Sequence, residues 1–388
     1  MARLNLLDKT LLDLAWSGQD VTWTDTLIKQ AVVWLSLKRH KAILRLSEDD
    51  YNDNGLASLL TDKGSAHHIN TKIFNALQHT ITGWPGGKPG VDDRNRPERA
   101  EPARKNVLLF SPHPDDDVIS MGGTFIHLVD QGHNVHVAYQ TSGNTAVWDD
   151  DVRRYLEFVQ DFNAAVDSDN HITSKIYQEA IHFFQTKQTG QTDPEIIRTI
   201  KGLIRKGEAS AGARFVGLPD SNIHFQDLPF YDRRKFSKEA SYEDDIQQTM
   251  TLLRAVKPQQ VFAAGDFADP HGTHRICFDI IAEALKRLTQ TDEWTEDCWV
   301  WLYRGAWHEY PIHEIEMAVP LSPEEVKRKR LAIFKHQSQK DVPVYPGDDP
   351  REFWVRAEDR TRETAALYHK LGLADYEAIE AFVRWKFV

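Results

Sequence analysis

The chain has 388 residues, with 47 Lys and Arg against 58 Asp and Glu for a net charge of -11, and hydrophobic and charged shares of 41% and 27%. This length allows one enlarged α/β domain or two domains with a sizeable core; the acidic balance excludes wholesale binding of nucleic acid, and no apolar run is long enough to span a bilayer. The opening Met1-Ala2-Arg3-Leu4-Asn5-Leu6 meets Asp8 and Lys9 before a signal-peptide core could form, and Cys277 and Cys298 are too few for a disulfide framework, so a cytoplasmic, reducing setting is expected.

Residues 6–81 read as helical, with apolar positions at helical spacing in the run Leu27-Ile28-Lys29-Gln30-Ala31-Val32-Val33-Trp34-Leu35. We take residues 1–85 as a helical N-terminal region and the Gly-, Pro- and charge-rich residues 86–105 as a linker. Beyond it, short apolar runs alternate with helical ones. Strands are predicted at Val107-Leu108-Leu109-Phe110, Val135-His136-Val137-Ala138-Tyr139, Arg214-Phe215-Val216, Gln260-Val261-Phe262-Ala263-Ala264 and Trp299-Val300-Trp301-Leu302-Tyr303. Helices are predicted near 120–131, 196–206, 244–256 and 274–288. The rhythm predicts an α/β fold, a doubly wound, Rossmann-like, mainly parallel sheet over residues 106–312. Ser322-Pro323-Glu324-Glu325 reads as a capping box with proline in the first turn. It opens a C-terminal region, 313–388, expected to be helical and to pack on the α/β domain of residues 106–312.

Chemistry concentrates after two of the predicted strands. Ser111-Pro112-His113-Pro114-Asp115-Asp116-Asp117 follows the first, and Gly265-Asp266-Phe267-Ala268-Asp269-Pro270-His271-Gly272-Thr273-His274 follows the fourth. Ligands of open parallel sheets bind at the carboxyl ends of the strands, so both loops should open on one edge. Either segment alone has a plainer reading, an acidic turn capping a helix or a pair of surface histidines. Together they can supply two histidines and one carboxylate while leaving a coordination position open, the pattern of a catalytic Zn²⁺ or another divalent first-row ion.

At these residues the chain resembles the PIG-L/LmbE-type zinc N-acetylglucosaminyl deacetylases, whose signature is His-Pro-Asp-Asp after the first strand and a later His-x-x-His. Thr141-Ser142-Gly143-Asn144, Arg205-Lys206-Gly207-Glu208, Gly217-Leu218-Pro219-Asp220 and His336-Gln337-Ser338-Gln339 extend the resemblance over residues 106–339. More narrowly, the chain is similar to the C-terminal half of bacterial proteins named glucosamine-6-phosphate deaminases, in which a deaminase domain precedes a PIG-L-like one. The resemblance implies His113, Asp116 and His274 as zinc ligands, Asp115 as general base and His271 as the group facing the tetrahedral intermediate. It further implies Arg205, Ser142, Gly143 and Asn144 as substrate contacts. The chain departs from the family at Asp117, usually Glu, and at Gly272-Thr273, usually Pro-Asp.

The expected partner is a small N-acetylated sugar, N-acetylglucosamine 6-phosphate or a relative, with neither nucleic acid nor membrane, and the chain could form a homo-oligomer. An amidase acting on another glucosamine conjugate and a non-catalytic sugar-binding module stay open at this point. A phosphoesterase would usually want two metals and more ligands than the two loops clearly supply.

Overall fold

The structure, a computed structural model, describes residues 22–91, 96, 98–168, 171–233, 242–267, 272–304, 308–340, 349 and 351–386. Among the described residues four α-helices come first: α1 (Asp25–Arg39), α2 (Glu48–Asn52), α3 (Ala57–Lys63) and α4 (Ala66–Thr80). Each has a local reason to start or stop. Thr24 caps α1 by accepting from the Leu27 N–H, and His40, in the left-handed region at φ 50°, ends it. Residues 1–21, which include the start of the predicted helical lead, lie outside the described residues.

The α/β region follows as β1 (Asn106–Ser111), α5 (Asp116–Asp130), β2 (Asn134–Tyr139), α6 (Asp149–Ala165), α7 (His171–Thr186), α8 (Glu195–Val216), β3 (Ile223–Phe225), α9 (Pro229–Arg233), α10 (Glu243–Val256), β4 (Gln260–Ala264), α11 (Thr273–Leu288) and β5 (Trp299–Tyr303). β6 (Met317–Leu321), α12 (Pro323–Ile333), α13 (Phe353–Lys370) and β7 (Ala378–Trp385) complete it. One sheet of seven strands runs in the order β3-β2-β1-β4-β5-β7-β6. The first five are mutually parallel, while β7 is antiparallel to both β5 and β6.

The parallel strands are near-continuous apolar runs because both faces are covered. Alternate residues point to opposite faces, so Leu108, Phe110, Val261, Ala263 and Val300 pack with α1, α4, α10 and α11, while Val107, Leu109, Phe262, Ala264 and Trp301 pack with α5, α8 and α12. A smaller cluster, with Val152, Leu156, Ala180, Ile197 and Ile204, joins α6, α7 and α8.

Two sequence expectations are corrected. Arg214-Phe215-Val216 is the last turn of α8, not a strand; Gly217 at φ 114° closes that helix by donating to the Ala213 and Arg214 carbonyls. Three apolar residues cannot distinguish a strand from a helix end. The strand in that part of the chain is β3, whose residues are only half buried. The C-terminal region is not purely helical: β6 and β7 belong to the same sheet as β1–β5, so residues 313–388 carry two of its strands. The predicted capping box is present, with the Ser322 hydroxyl accepting from the Glu325 N–H at 3.3 Å and the Glu325 carboxylate accepting from the Ser322 N–H at 2.7 Å.

Candidate active site and metal centre

Strand order reverses about β1 and β4, the place where a doubly wound sheet leaves a crevice at its carboxyl edge. The loops leaving these two strands lead into α5 and α11. The first is a tight turn: the Asp115 N–H donates to the His113 carbonyl at 2.8 Å, and the Ser111 hydroxyl donates to the same oxygen at 2.6 Å. Thr141, following β2, donates from both its N–H and its hydroxyl to the Pro112 carbonyl, bracing the turn from the neighbouring strand. On the second loop, Gly272 caps α11 and His274 sits in its first turn.

Three donor atoms converge between these loops. Asp116 Oδ2 lies 3.1 Å from His113 Nδ1 and 3.2 Å from His274 Nε2, and the two imidazole nitrogens are 3.3 Å apart. A tetrahedral ion with bonds of ~2.0–2.1 Å holds its donors about 3.3 Å apart, so this near-equilateral triangle fits one face of such a site. Two nitrogens and one carboxylate oxygen are a donor set for zinc or a similar first-row ion. Burial alone would raise the Asp116 carboxyl, but the charges and hydrogen bonds of His274 and His113 hold it well below the usual carboxylate range.

The adjacent carboxylate has a different partner. Asp115, the N-cap residue of α5, accepts from Arg205 Nη2 at 2.9 Å, and both side chains are buried. The two aspartates therefore diverge, one toward the metal-fitting triad and one toward Arg205. Arg205 is not a solvated helix cation: it is fully buried on α8, and its Nε and Nη1 have no hydrogen-bond partner among the described residues. Burial disfavours its charge, yet Asp115 and Glu208 outweigh burial and keep it more firmly protonated than usual. Asp117 turns inward, accepting from the Tyr139 hydroxyl at 3.1 Å and from Ser111 at 3.2 Å. Burial, with Asp115 adding to it, pushes its carboxyl up to about 7 against those hydrogen bonds.

The expected substrate loop lies against this centre. Gly143 sits at φ 62°, and a Cβ there would come within 2.8 Å of Pro114 Cδ and 3.0 Å of Arg205 Nε. Only glycine meets both the backbone geometry and the close approach. Ser142 and Asn144 line a cleft of about 590 Å³ together with Pro114, Lys206, Asp227 and Tyr231. Asn144 also borders a larger, more polar cleft of about 760 Å³, with Trp148, Asp149, Lys187, Lys201 and Ser338 on its walls. Asp149-Asp150-Asp151 thus serves as the first turn of α6 and as cleft lining. His271 lies outside the described residues.

Sequence reasoning assigned no role to three residues near this centre. Tyr231 presents its ring edge-on to His113, with centroids 6.4 Å apart, and its hydroxyl lies 2.9 Å from Thr145 Oγ1. It stands on the five-residue α9, which no motif marks. His336 is fully buried and is pushed down to about 4, chiefly by burial, so its imidazole is neutral behind Asp115 and Arg205. Glu208 accepts from the Ser338 N–H and hydroxyl, both at 2.7 Å, tying α8 to the segment after α12. The sequence signal for these last two was the run His336-Gln337-Ser338-Gln339.

A metal-fitting triad at the switch point of a parallel sheet, with a second carboxylate held beside it, is an arrangement suited to metal-dependent hydrolysis. Residues 108–285 match the model of the PIG-L family, described as GlcNAc-PI de-N-acetylase. It is 51% identical over 386 residues to the "Putative glucosamine-6-phosphate deaminase-like protein" of Bacteroides thetaiotaomicron, covering 99% of this chain and 58% of that relative's length. Among solved structures it is similar to the N,N'-diacetylchitobiose deacetylase of Pyrococcus horikoshii, at 21% identity over 72% of this chain and 84% of the other, TM-score 0.44. It is also similar to a conserved protein of Thermus thermophilus, at 17% identity over 73% of this chain and 96% of the other, TM-score 0.44. Among the described residues no helix is long and apolar enough to cross a membrane.

Proposed function

We propose that the protein is a zinc-dependent deacetylase that hydrolyses the N-acetyl group of an N-acetylglucosamine-type sugar, N-acetylglucosamine 6-phosphate or a related amino sugar, to acetate and the free amine. The observation that carries this reading is the 3.1–3.3 Å triangle of His113, Asp116 and His274 donors beside the Asp115–Arg205 pair. The choice of sugar is supported by association: the relative is named for glucosamine-6-phosphate deaminase, and a deacetylase would produce the substrate of such an enzyme.

Zinc held by His113, Asp116 and His274 would supply a polarised acetyl carbonyl and water with a pKa lowered to about 7. Asp115 accepts the proton of the attacking water, its second oxygen fixed by Arg205 so that the carboxylate does not swing toward the triad. Arg205 Nε and Nη1, buried and without partners among the described residues, donate to a hydroxyl or anionic oxygen of the sugar. Gly143 lets the sugar approach closely, with Ser142 and Asn144 as polar contacts. The resemblance assigns His271 the stabilisation of the oxyanion and the protonation of the leaving amine, a contribution whose loss typically costs about 10²- to 10³-fold in rate.

The test is acetate release by the purified chain from N-acetylglucosamine, its 6-phosphate and diacetylchitobiose, after chelation and again with added zinc. Release from one sugar that zinc restores is expected. No release from any of the three, with zinc bound stoichiometrically, would overturn the sugar assignment. Gly143→Ala is expected to lower turnover at least tenfold, because the added Cβ strains the left-handed backbone by about 1–2 kcal/mol and pushes Arg205 away from Asp115. Comparing kcat and zinc content of this variant with wild type checks it; the metal should remain.

A further inference from the structure

Helix α6 has two apolar faces, and among the described residues only one is covered. Val152 and Leu156 are buried in the cluster with Ile197 and Ile204 of α8, while Gln160 and Asn163 bond to Ser174 and Thr173 of α7. On another side Tyr155, Phe158 and Phe162 are 41%, 65% and 54% exposed, and Val166, at the helix end, is 53% exposed. At about 100° per residue these four fall in one stripe roughly 80° wide, a quarter-turn from the buried face. The Phe158 and Phe162 rings stack with centroids 6.3 Å apart. Together the four expose on the order of 400 Å² of mostly apolar surface, the size of the largest patch on a typical monomer, which is often functional.

The spacing and flanking charges identify what covers it. Tyr155, Phe158 and Phe162 are three and four residues apart, the seam positions of a helix pair. Arg154 and Asp161 lie seven apart on one flank of this seam. In an antiparallel pair, like flanks of the two helices meet. A two-fold axis midway between positions 154 and 161 sets Arg154 against Asp161 of a second copy and Asp161 against its Arg154, and brings Phe158, next to the axis, beside its own symmetry mate. In a parallel pair the same flank would meet Val159 and Val166, leaving neither charge a partner across the seam. Arg154 now pairs with Asp151 on its own helix at 3.0 Å with its side chain 63% exposed, so the guanidinium can reach outward.

We infer that α6 is the central seam of a two-fold symmetric homodimer, packed antiparallel on α6 of a second copy of this chain. The contact is self-complementary, as a two-fold interface requires. A stable dimer buries about 800 Å² per partner, so the stripe forms its apolar centre, and the flanking charged residues with the exposed Ile172 at the head of α7 form the rest. Because Arg154 also lines the 760 Å³ cleft, assembly sets one wall of that cleft.

Sedimentation velocity of the full chain from low to high micromolar concentration tests the seam. Wild type is expected to sediment as a dimer, and Phe158→Glu, at a position exposed enough to spare the fold, as a monomer with an unchanged far-UV spectrum and melting midpoint. Arg154→Asp or Asp161→Arg alone should weaken the dimer roughly tenfold, since each turns two symmetric attractions into repulsions, and the double reversal should restore it. A monomeric wild type throughout the range, a dimer indifferent to Phe158→Glu, or a double reversal as weak as the single ones would each overturn the proposal.

Discussion

Replacing Asp115 by Asn is expected to leave the metal bound and to reduce turnover by about 10²- to 10⁴-fold, the usual contribution of a positioned general base. The change is isosteric, and the amide oxygen can still accept from Arg205 Nη2, which now lies 2.9 Å from Asp115 Oδ1. What is removed is the capacity to take a proton. Asp116→Asn is the control, because its Oδ2 is the shared vertex of the donor triangle, within 3.2 Å of both imidazoles. That variant should lose both the metal and the activity. Zinc stoichiometry and kcat measured on the two proteins separate the roles of neighbouring aspartates. A fully active Asp115→Asn enzyme would remove Asp115 from the base role and leave Arg205 binding a structural carboxylate.

The site was legible in the sequence because its chemistry lies in short segments directly after strands with strong apolar runs. β1, β2, β4 and β5 were found at nearly their observed bounds, and β1 and β4 fix where the His113–Asp116 and His274 loops emerge. The fit of three donor atoms to one ion and the burial of Arg205 were not legible, since both depend on α8 and α11 crossing the sheet edge. The different roles of the two aspartates were implied by the family resemblance, but Arg205 as the partner of Asp115 was not. β3 escaped because three half-buried residues at a sheet edge carry no strong alternation. β6 and β7 escaped because they follow a helical context and run antiparallel, outside the βαβ rhythm that reveals the others. Tyr231 had no motif around it at all.

The missed strand β7 also bears on the metal centre, through Glu380. Helix α5 starts at Asp116 and departs from helical geometry at Met121, where φ is -135° and ψ 27°. Just past that kink, the backbone N–H groups of Gly123 and Thr124 donate to the Glu380 carboxylate at 3.0 and 2.6 Å, and the Thr124 hydroxyl donates at 2.6 Å. A carboxylate at such donors acts as an internal cap within the helix. Lys329 of α12 completes the arrangement at 2.7 Å, and both charged side chains are fully buried.

Glu380→Ala is therefore expected to destabilise the protein by about 3–5 kcal/mol, the usual cost of removing one partner from a buried pair, because it leaves an uncompensated ammonium and three orphaned donors. Lys329→Met should cost less, since Glu380 keeps its three other hydrogen bonds. The double variant should not recover wild-type stability, because the Gly123 and Thr124 N–H groups remain without an acceptor. Urea unfolding midpoints of the three proteins check this order. Below its midpoint, Glu380→Ala should also bind zinc more weakly than Lys329→Met, because a loosened kink lets the first turn of α5 carry Asp116 off the triangle. Equal zinc affinity in both variants would mean that the first turn is held by the Ser111–His113 loop alone, with the buried pair acting on stability and not on the site.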